Sequence, residues 1–339
     1  MYGIFAAALI AGLVTMLVTP AMRRLSEKTG AVDKPEARRV NTTDMPRLGG
    51  VAIFAGFLVA VIITIAVRQF AKDGQHTWTL QVTGVLLAAG FIAVTSLIDD
   101  LTDLSAKWQA LSIIAAALIL AAFGVRIEGI TNPFGGAGTG QNWHALPIAV
   151  SILLTVFWVF TVTKTVDAID GVDGLAAGVC AISAATLALM ATQVHALPGA
   201  PSSQGPTVAL IAAAICGACL GFLRHNYHPA KIIMGTVGAQ VLGLALAAVS
   251  IMGAFKVAAA VSVLIPLLVL GVPIFDFTHV MARRIIDRAP LTKADRRHMH
   301  HRLLDRGWDH KQVAWFIYSL TIVLCITALA LFRAGHGGR

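Results

Sequence analysis

Ten stretches of this chain are long and apolar enough that water cannot be their solvent. They cover roughly residues 3–20, 49–68, 79–98, 108–125, 146–163, 174–193, 207–223, 233–253, 257–280 and 312–333. About 20 apolar residues in a helix span the roughly 30 Å of hydrocarbon in a bilayer. Hydrocarbon offers no partner for a backbone N–H or C=O, so each run has to satisfy its own hydrogen bonds as a helix. The composition agrees: 57% of residues are hydrophobic and 13% are charged, with mean hydropathy +0.78. A soluble domain carries about 25% charge. The expected fold is an all-α integral membrane protein of about ten transmembrane helices in one polytopic domain, residues 1–339. The first run lacks a basic lead-in and a small-residue cleavage site, and reads as a retained span. Pro266, Gly271 and Pro273 in the ninth run predict a kinked or broken helix.

Orientation follows from the basic residues. The odd-numbered connections hold 20 of the 26 Lys and Arg and 14 of the 17 acidic residues, and Asp276 near the end of the ninth run brings that side to 15. The positive-inside rule places those connections in the cytoplasm and both termini outside. The lopsided placement matters more than the net charge of +9, because it marks one face as the working face.

Five polar clusters fall on that face: Pro46–Gly50 with Arg47, Asp99-Asp100-x-x-Asp103, Asp167-x-x-Asp170-x-x-Asp173, Met234-Gly235 with Gly238, and His298-x-His300-His301-Arg302. Carboxylates next to hydrocarbon are costly and need a partner, often a cation. Clustered acids suit Mg²⁺, which takes a few carboxylates and substrate phosphate oxygens; the bland alternative for Asp99–Asp103 is a solvated helix end facing Lys107. Capping of the next helix would explain Asp173, but not three acids at spacing three. The His and Arg cluster is rich in donors for a diphosphate, with a transition-metal site and a basic face on anionic lipid as its alternatives. His225 and His228 read as interfacial polar residues rather than ligands. Cys216-Gly-Ala-Cys219 lies in a run of small residues and reads as packing, not as a redox or zinc site. The neighbouring Gly217, Ala218 and Gly221 suit a homodimer interface.

These motifs resemble, in order, those of the polyprenyl-phosphate N-acetylhexosamine-1-phosphate transferases of glycosyltransferase family 4, which include the translocase that makes the first peptidoglycan lipid. The matching stretches are Asp33–Arg39 through Pro46–Gly50, Ser96–Asp103, Asp170–Gly178, Pro273–Asp276 and Asp295–Leu303. The last looks more like the GlcNAc-1-phosphate branch than the peptidoglycan translocase.

The resemblance implies a cytoplasmic-side cleft, Mg²⁺ (with Mn²⁺ as an alternative ion), a UDP-N-acetylhexosamine donor and a polyprenyl phosphate acceptor, with no nucleic acid partner. On this chain it places catalysis on Asp99, Asp100, Asp170 and Asp173. Metal ligation falls to some of Asp99, Asp100 and Asp170, and substrate contact to Arg47, Asp103, His298, His300, His301 and Arg302; this chain's own residues add Asp167 to the candidate metal ligands and Lys164 to the candidate phosphate contacts. Two positions depart from the family pattern: Lys164 and Asp167 stand where Asn-x-x-Asn is common, and Thr236 stands where the family has an acidic metal ligand. Relocation of the lost carboxylate to Asp167 is one account; a silent homologue acting as a scaffold is another. A transporter is the reading from a different class, but acids at span ends and the lack of an evident repeat favour it less.

Overall fold

A computed structural model describes residues 2–33, 44–70, 79–131, 143–194, 204–253, 259–288 and 298–336. The first-loop stretch with Arg38 and Arg39, and Asp295, Arg296 and Arg297, lie outside the described residues. The helices among those described are α1 (Tyr2–Thr29), α2 (Gly49–Phe70), α3 (Leu80–Thr102), α4 (Ala106–Ala122), α5 (Ile148–Ile169), α6 (Leu175–Val194), α7 (Gln204–Asn226), α8 (Gly235–Met252), α9 (Ala259–Val269), α10 (Gly271–Ile286), α11 (Met299–Leu304) and α12 (His310–His336).

Among the described residues, every apolar run contains a helix. Eight of the helices are long and apolar enough to cross a membrane. The fourth run forms α4, whose 17 residues reach about 26 Å at 1.5 Å each. The ninth divides into α9 and α10 at Leu270, between Pro266 and Pro273, where the sequence predicts a break. Two short ribbons interrupt the all-helical expectation: β1 (Val32–Asp33) pairs antiparallel with β2 (Met45–Pro46), and β3 (Gly129–Thr131) with β4 (Trp143–Ala145). The second lies in the connection between α4 and α5.

Helix α8 is the axis of the bundle. Its residues from Val237 to Ile251 are buried, and it packs against α2, α3, α5, α6 and α7. Helices α1, α5 and α12 sit outside and expose Leu9, Leu17, Leu153, Phe157, Trp315 and Ile326. That apolar rim fits a lipid-facing surface rather than a watered one.

The small-residue stripe on α7 is used within the chain. A methyl group at Gly217 or Gly221 would collide with the α1 backbone at Ala8 or Gly12, and Ala218 is fully buried. Close backbone approach is what small residues permit in a helix pair. The homodimer expectation therefore loses the surface on which it rested. The four cysteines are unbridged, with Cys216 half-buried and the other three buried.

Candidate active site

The site begins where the first loop meets the start of α8. Ile233 N–H donates to Pro46 C=O at 2.9 Å, while Gly49 and Gly50 N–H donate to the carbonyls of Ile233 and Met234 at 3.1 and 2.8 Å. Arg47 N–H is shared between Ala31 C=O and Ser26 Oγ, at 3.1 and 3.0 Å. This stitching places the Arg47 side chain beside the α8 N-terminus.

That terminus is capped from another helix. Its own cap residue, Met234, supplies no side-chain bond, and the first N–H groups of a helix need acceptors. Asp100, in the last turn of α3, accepts from Thr236 N–H at 2.9 Å and Val237 N–H at 3.1 Å. A carboxylate there also meets the positive end of the helix dipole. Gly235 turns the chain into α8 at φ +64, and a Cβ at that position would stand 2.7 Å from Asp100 Oδ2.

Asp99 is turned the other way. It accepts from Leu104 N–H at 2.9 Å and from Gln109 Nε2 at 3.1 Å. Asp103 ends α3 in the left-handed region (φ 51), and its exposed carboxylate takes Arg47 Nη1 at 2.9 Å. Arg47 Nε is buried and has no hydrogen-bond partner among the described residues. A buried donor left open in this way has a desolvation cost that an arriving anion would remove.

Gln109 links the second cluster to the third. Its Oε1 accepts from Lys164 Nζ at 3.0 Å, and the same ammonium pairs with Asp167 Oδ2 at 2.9 Å. Asp170 follows at the C-cap of α5. No hydrogen bond reaches its carboxylate among the described residues. Burial pushes its pKa well above the usual carboxylate range, and the charges of Asp167, Asp100 and Asp173 push it further. These four acids from α3 and the α5–α6 turn therefore share one electrostatic neighbourhood.

The fifth cluster packs on the same turn. Asp276 of α10 accepts from His298 Nδ1 at 2.9 Å and Met299 N–H at 2.7 Å, which fixes the start of α11. His300 is buried against Gly171, where an added methyl would come within 2.7 Å of its Nε2. Burial, followed by the neighbouring His301 and His298, lowers the His300 pKa to about 3. It is neutral at pH 7, so any contact that it makes is a neutral hydrogen bond and not an ion pair. His300 and His301 have ring centroids 4.3 Å apart; Arg302 is exposed.

Sequence reasoning located the five clusters, and the fold brings them together. It did not foresee how the individual carboxylates are engaged. Asp99, Asp100, Asp167 and Asp170 do not form a three-residue group of closely spaced ligand atoms among the described residues. Asp99 is held by Gln109, Asp167 by Lys164, and Asp100 spans the start of α8. Asp173 turns away from the other acids: its Oδ2 accepts from Ala230 N–H at 3.1 Å and meets His228 Nδ1 at 2.7 Å. His228 is thus a carboxylate partner, not merely an interfacial polar group. Gln109, Asn226, His310 and Tyr318 were missed. Asn226 accepts from Gly174 N–H at 3.0 Å, and Tyr318 OH donates to Gly174 C=O at 2.6 Å. Nothing in their local sequence marks those distant partners.

The arrangement defines a polytopic α-helical membrane protein in which helix ends and loops assemble a cluster of acids flanked by basic and imidazole groups. The family model for glycosyl transferase family 4 matches residues 82–254, and relatives cover nearly the whole chain, so the chain belongs to that family. It is 34% identical over 335 residues, 98% of this chain and 86% of the relative, to a probable undecaprenyl-phosphate N-acetylglucosaminyl 1-phosphate transferase of Bacillus subtilis (strain 168). It is 34% identical over 321 residues, 91% of this chain and 78% of the relative, to a decaprenyl-phosphate N-acetylglucosaminephosphotransferase of Mycobacterium tuberculosis (strain ATCC 25618 / H37Rv). A phospho-N-acetylmuramoyl-pentapeptide-transferase of Caldicellulosiruptor bescii is 33% identical over 141 residues, 39% of each chain.

Proposed function

We propose that this chain transfers N-acetylglucosamine 1-phosphate from a UDP-sugar to polyprenyl phosphate, releasing UMP and starting a cell-envelope glycan. A lipid phosphate oxygen forms the new bond to the β-phosphorus of the donor. The bond from that phosphorus to the bridging oxygen breaks, and UMP leaves with the electron pair. The acceptor phosphate is mostly ionised near neutral pH, so no strong base is needed; Asp99 orients it or takes a residual proton. Support comes from the names of the two long-matching relatives and from the chemistry of the cleft.

The observation that carries the proposal is Asp170, a half-buried carboxylate with no hydrogen-bond donor among the described residues and within reach of the charges of Asp167, Asp100 and Asp173. Such a concentration of negative charge suits a divalent cation. Mg²⁺ commonly takes one or two carboxylates and completes its shell with water and substrate phosphate oxygens. Asp170 and Asp100 would hold it, with Asp99 and Asp167 beside them and Mn²⁺ as the alternative ion. When bound, the ion would offset charge on the diphosphate during transfer.

The protein's own groups do the remaining work. Arg47 offers its open Nε to a phosphate. Lys164 is fixed by Gln109 and Asp167 and presents a cation at the same wall. His298, His301 and Arg302 provide donors on the far wall, His300 contributes a neutral ring, and Asp103 steadies Arg47. The prenyl chain would lie along an apolar groove between helices. The excess of basic residues in the odd connections supports a site at the cytoplasmic face of the inner membrane, with both termini outside.

Purified protein incubated with polyprenyl phosphate, Mg²⁺ and a panel of UDP-sugars should release UMP with UDP-N-acetylglucosamine. Silence across the panel would favour a scaffold. Asp167→Asn tests the relocated carboxylate: Mg²⁺-dependent release at the wild-type rate would end that idea.

A further inference from the structure

Asp173 is close to the proposed reaction centre in sequence, yet its side chain belongs to a different group. Its Oδ2 lies 2.7 Å from His228 Nδ1, in the α7–α8 connection, and 3.8 Å from His310 Nδ1, at the first residue of α12. The two imidazoles are stacked with centroids 4.7 Å apart. One ligand atom from each of the three residues lies within 4.8 Å of the other two. Asp173 is buried; the His310 and His228 side chains are 16% and 34% exposed, so a solute could enter from the His228 side.

The His310 nitrogen is the telling atom. Its Nδ1 is shielded from solvent and has no hydrogen-bond partner among the described residues. At 3.8 Å it is too far from Asp173 to count as a hydrogen bond. A buried ring nitrogen without a partner is costly, and this one is directed at a carboxylate already paired with a second imidazole. A bound cation resolves that conflict. In a tetrahedral zinc site with bonds of about 2.0–2.1 Å, ligand atoms sit roughly 3.3 Å apart. The observed 2.7 and 3.8 Å fall on either side of that value, and no separation among the three ligand atoms exceeds 4.8 Å, so side-chain adjustment without movement of the helices would bring them to it.

We propose that Asp173, His228 and His310 bind a divalent transition ion of the zinc class, separate from the ion of the transfer reaction. Ligand chemistry distinguishes the two. Imidazole nitrogens suit Zn²⁺, Cu²⁺ or Ni²⁺, whereas Mg²⁺ prefers an all-oxygen shell. Three protein ligands leave a fourth position for water. The ion would join three segments distant in sequence: the turn carrying Asp170, the α7–α8 connection and the start of α12. Tyr318 already ties α12 to that turn through Gly174 C=O, so the ion would reinforce an existing junction. Its role is structural bracing of the acidic turn, independent of whether the chain transfers a sugar phosphate.

The test uses full-length protein purified with a tag free of histidine, stripped with chelator and titrated with Zn²⁺ in detergent. Metal content after dialysis and thermal melting are the readouts, and a Co²⁺ load reports tetrahedral nitrogen–oxygen ligation by its visible absorption. Wild type should take up one tightly held equivalent and melt at a higher temperature with Zn²⁺ than without. His228→Gln and His310→Gln should each weaken binding by more than the roughly 10–100-fold seen for loss of an outer-shell partner, and the double variant should lose both uptake and the melting shift. His301→Gln, in the other imidazole cluster, should leave uptake intact. The proposal fails if wild type takes up no tightly held ion, if the His228→Gln/His310→Gln protein binds as wild type does, or if uptake is lost with His301 instead.

Discussion

Gly235→Ala tests whether the cap donated by Asp100 holds the site together. Gly235 sits at φ +64, a left-handed conformation that costs an alanine about 1–2 kcal/mol. The new methyl would also collide with Arg47 C=O and come within 2.7 Å of Asp100 Oδ2. Asp100 can relieve that contact only by withdrawing from Thr236 and Val237, whose N–H groups it now holds at 2.9 and 3.1 Å. Hydrogen bonds to a charged group contribute about 1.5–3 kcal/mol each. Losing one of them on top of the backbone cost gives an expected destabilisation of about 2.5–5 kcal/mol. Intrinsic tryptophan fluorescence, from the six tryptophans of the chain, would follow thermal melting in detergent, and UMP release would report the cleft. The double variant with Asp100→Ala separates the contributions, because truncating the carboxylate removes part of the clash. The two losses should then combine to less than their sum by about 0.5–3 kcal/mol. Wild-type melting and wild-type UMP release in Gly235→Ala would refute the reasoning, as would strict additivity in the double variant.

Asp170→Asn should lower UMP release by at least about 100-fold and, without added metal, raise the melting temperature at pH 7, since it removes a carboxyl whose ionisation is opposed by desolvation and by the charges of Asp167, Asp100 and Asp173. The folded pKa of Asp170 lies above its unfolded value, so the fold favours the protonated acid. Its contribution is complete below the unfolded pKa of about 4 and is lost as pH rises through the folded value; the Asn variant should lack that dependence in melts between pH 4 and 8. His300 acts in the opposite sense: its pKa falls from about 6.5 to about 3 on folding, so its stabilisation is present above pH 6.5 and is lost as pH falls toward 3. The difference between wild type and His300→Asn melts should shrink over that window. Lys164→Met should lower stability by leaving Asp167 without its 2.9 Å partner, and a second change, Asp167→Asn, should recover most of the loss. Tyr318→Phe, which leaves the Gly174 carbonyl without its donor, should cost about 1–3 kcal/mol in the same melts.

The parts of this molecule that could be read from sequence are those governed by the solvent. Hydrocarbon imposes a length and a composition on every span, so the ten runs become helices, and Pro266 with Pro273 predicts a break that falls at Leu270. A bilayer also returns alternate loops to one side, and the five polar clusters meet accordingly. What could not be read depends on which atom faces which. Asp99 and Asp100 are adjacent in a helix and so point about 100° apart. One therefore meets Gln109 while the other caps α8, a division that no property of the Asp-Asp pair foretells. The glycines of α7 suit close packing in any partner, and only the path of α1 shows that the partner is internal.

Asp173 shows the same limit at the site itself. Its spacing with Asp170 invites assignment to one cluster, but three residues at the end of a helix include a turn, and that turn rotates Asp173 toward His228 and His310. The acidic triplet would therefore serve two centres rather than one. On the two proposals above, Asp170 belongs with the carboxylate oxygens of Asp100 and Asp167, while Asp173 meets imidazole nitrogen. Hard and borderline cations would be sorted between them by ligand chemistry alone, even though the two carboxylates belong to a single turn of the chain.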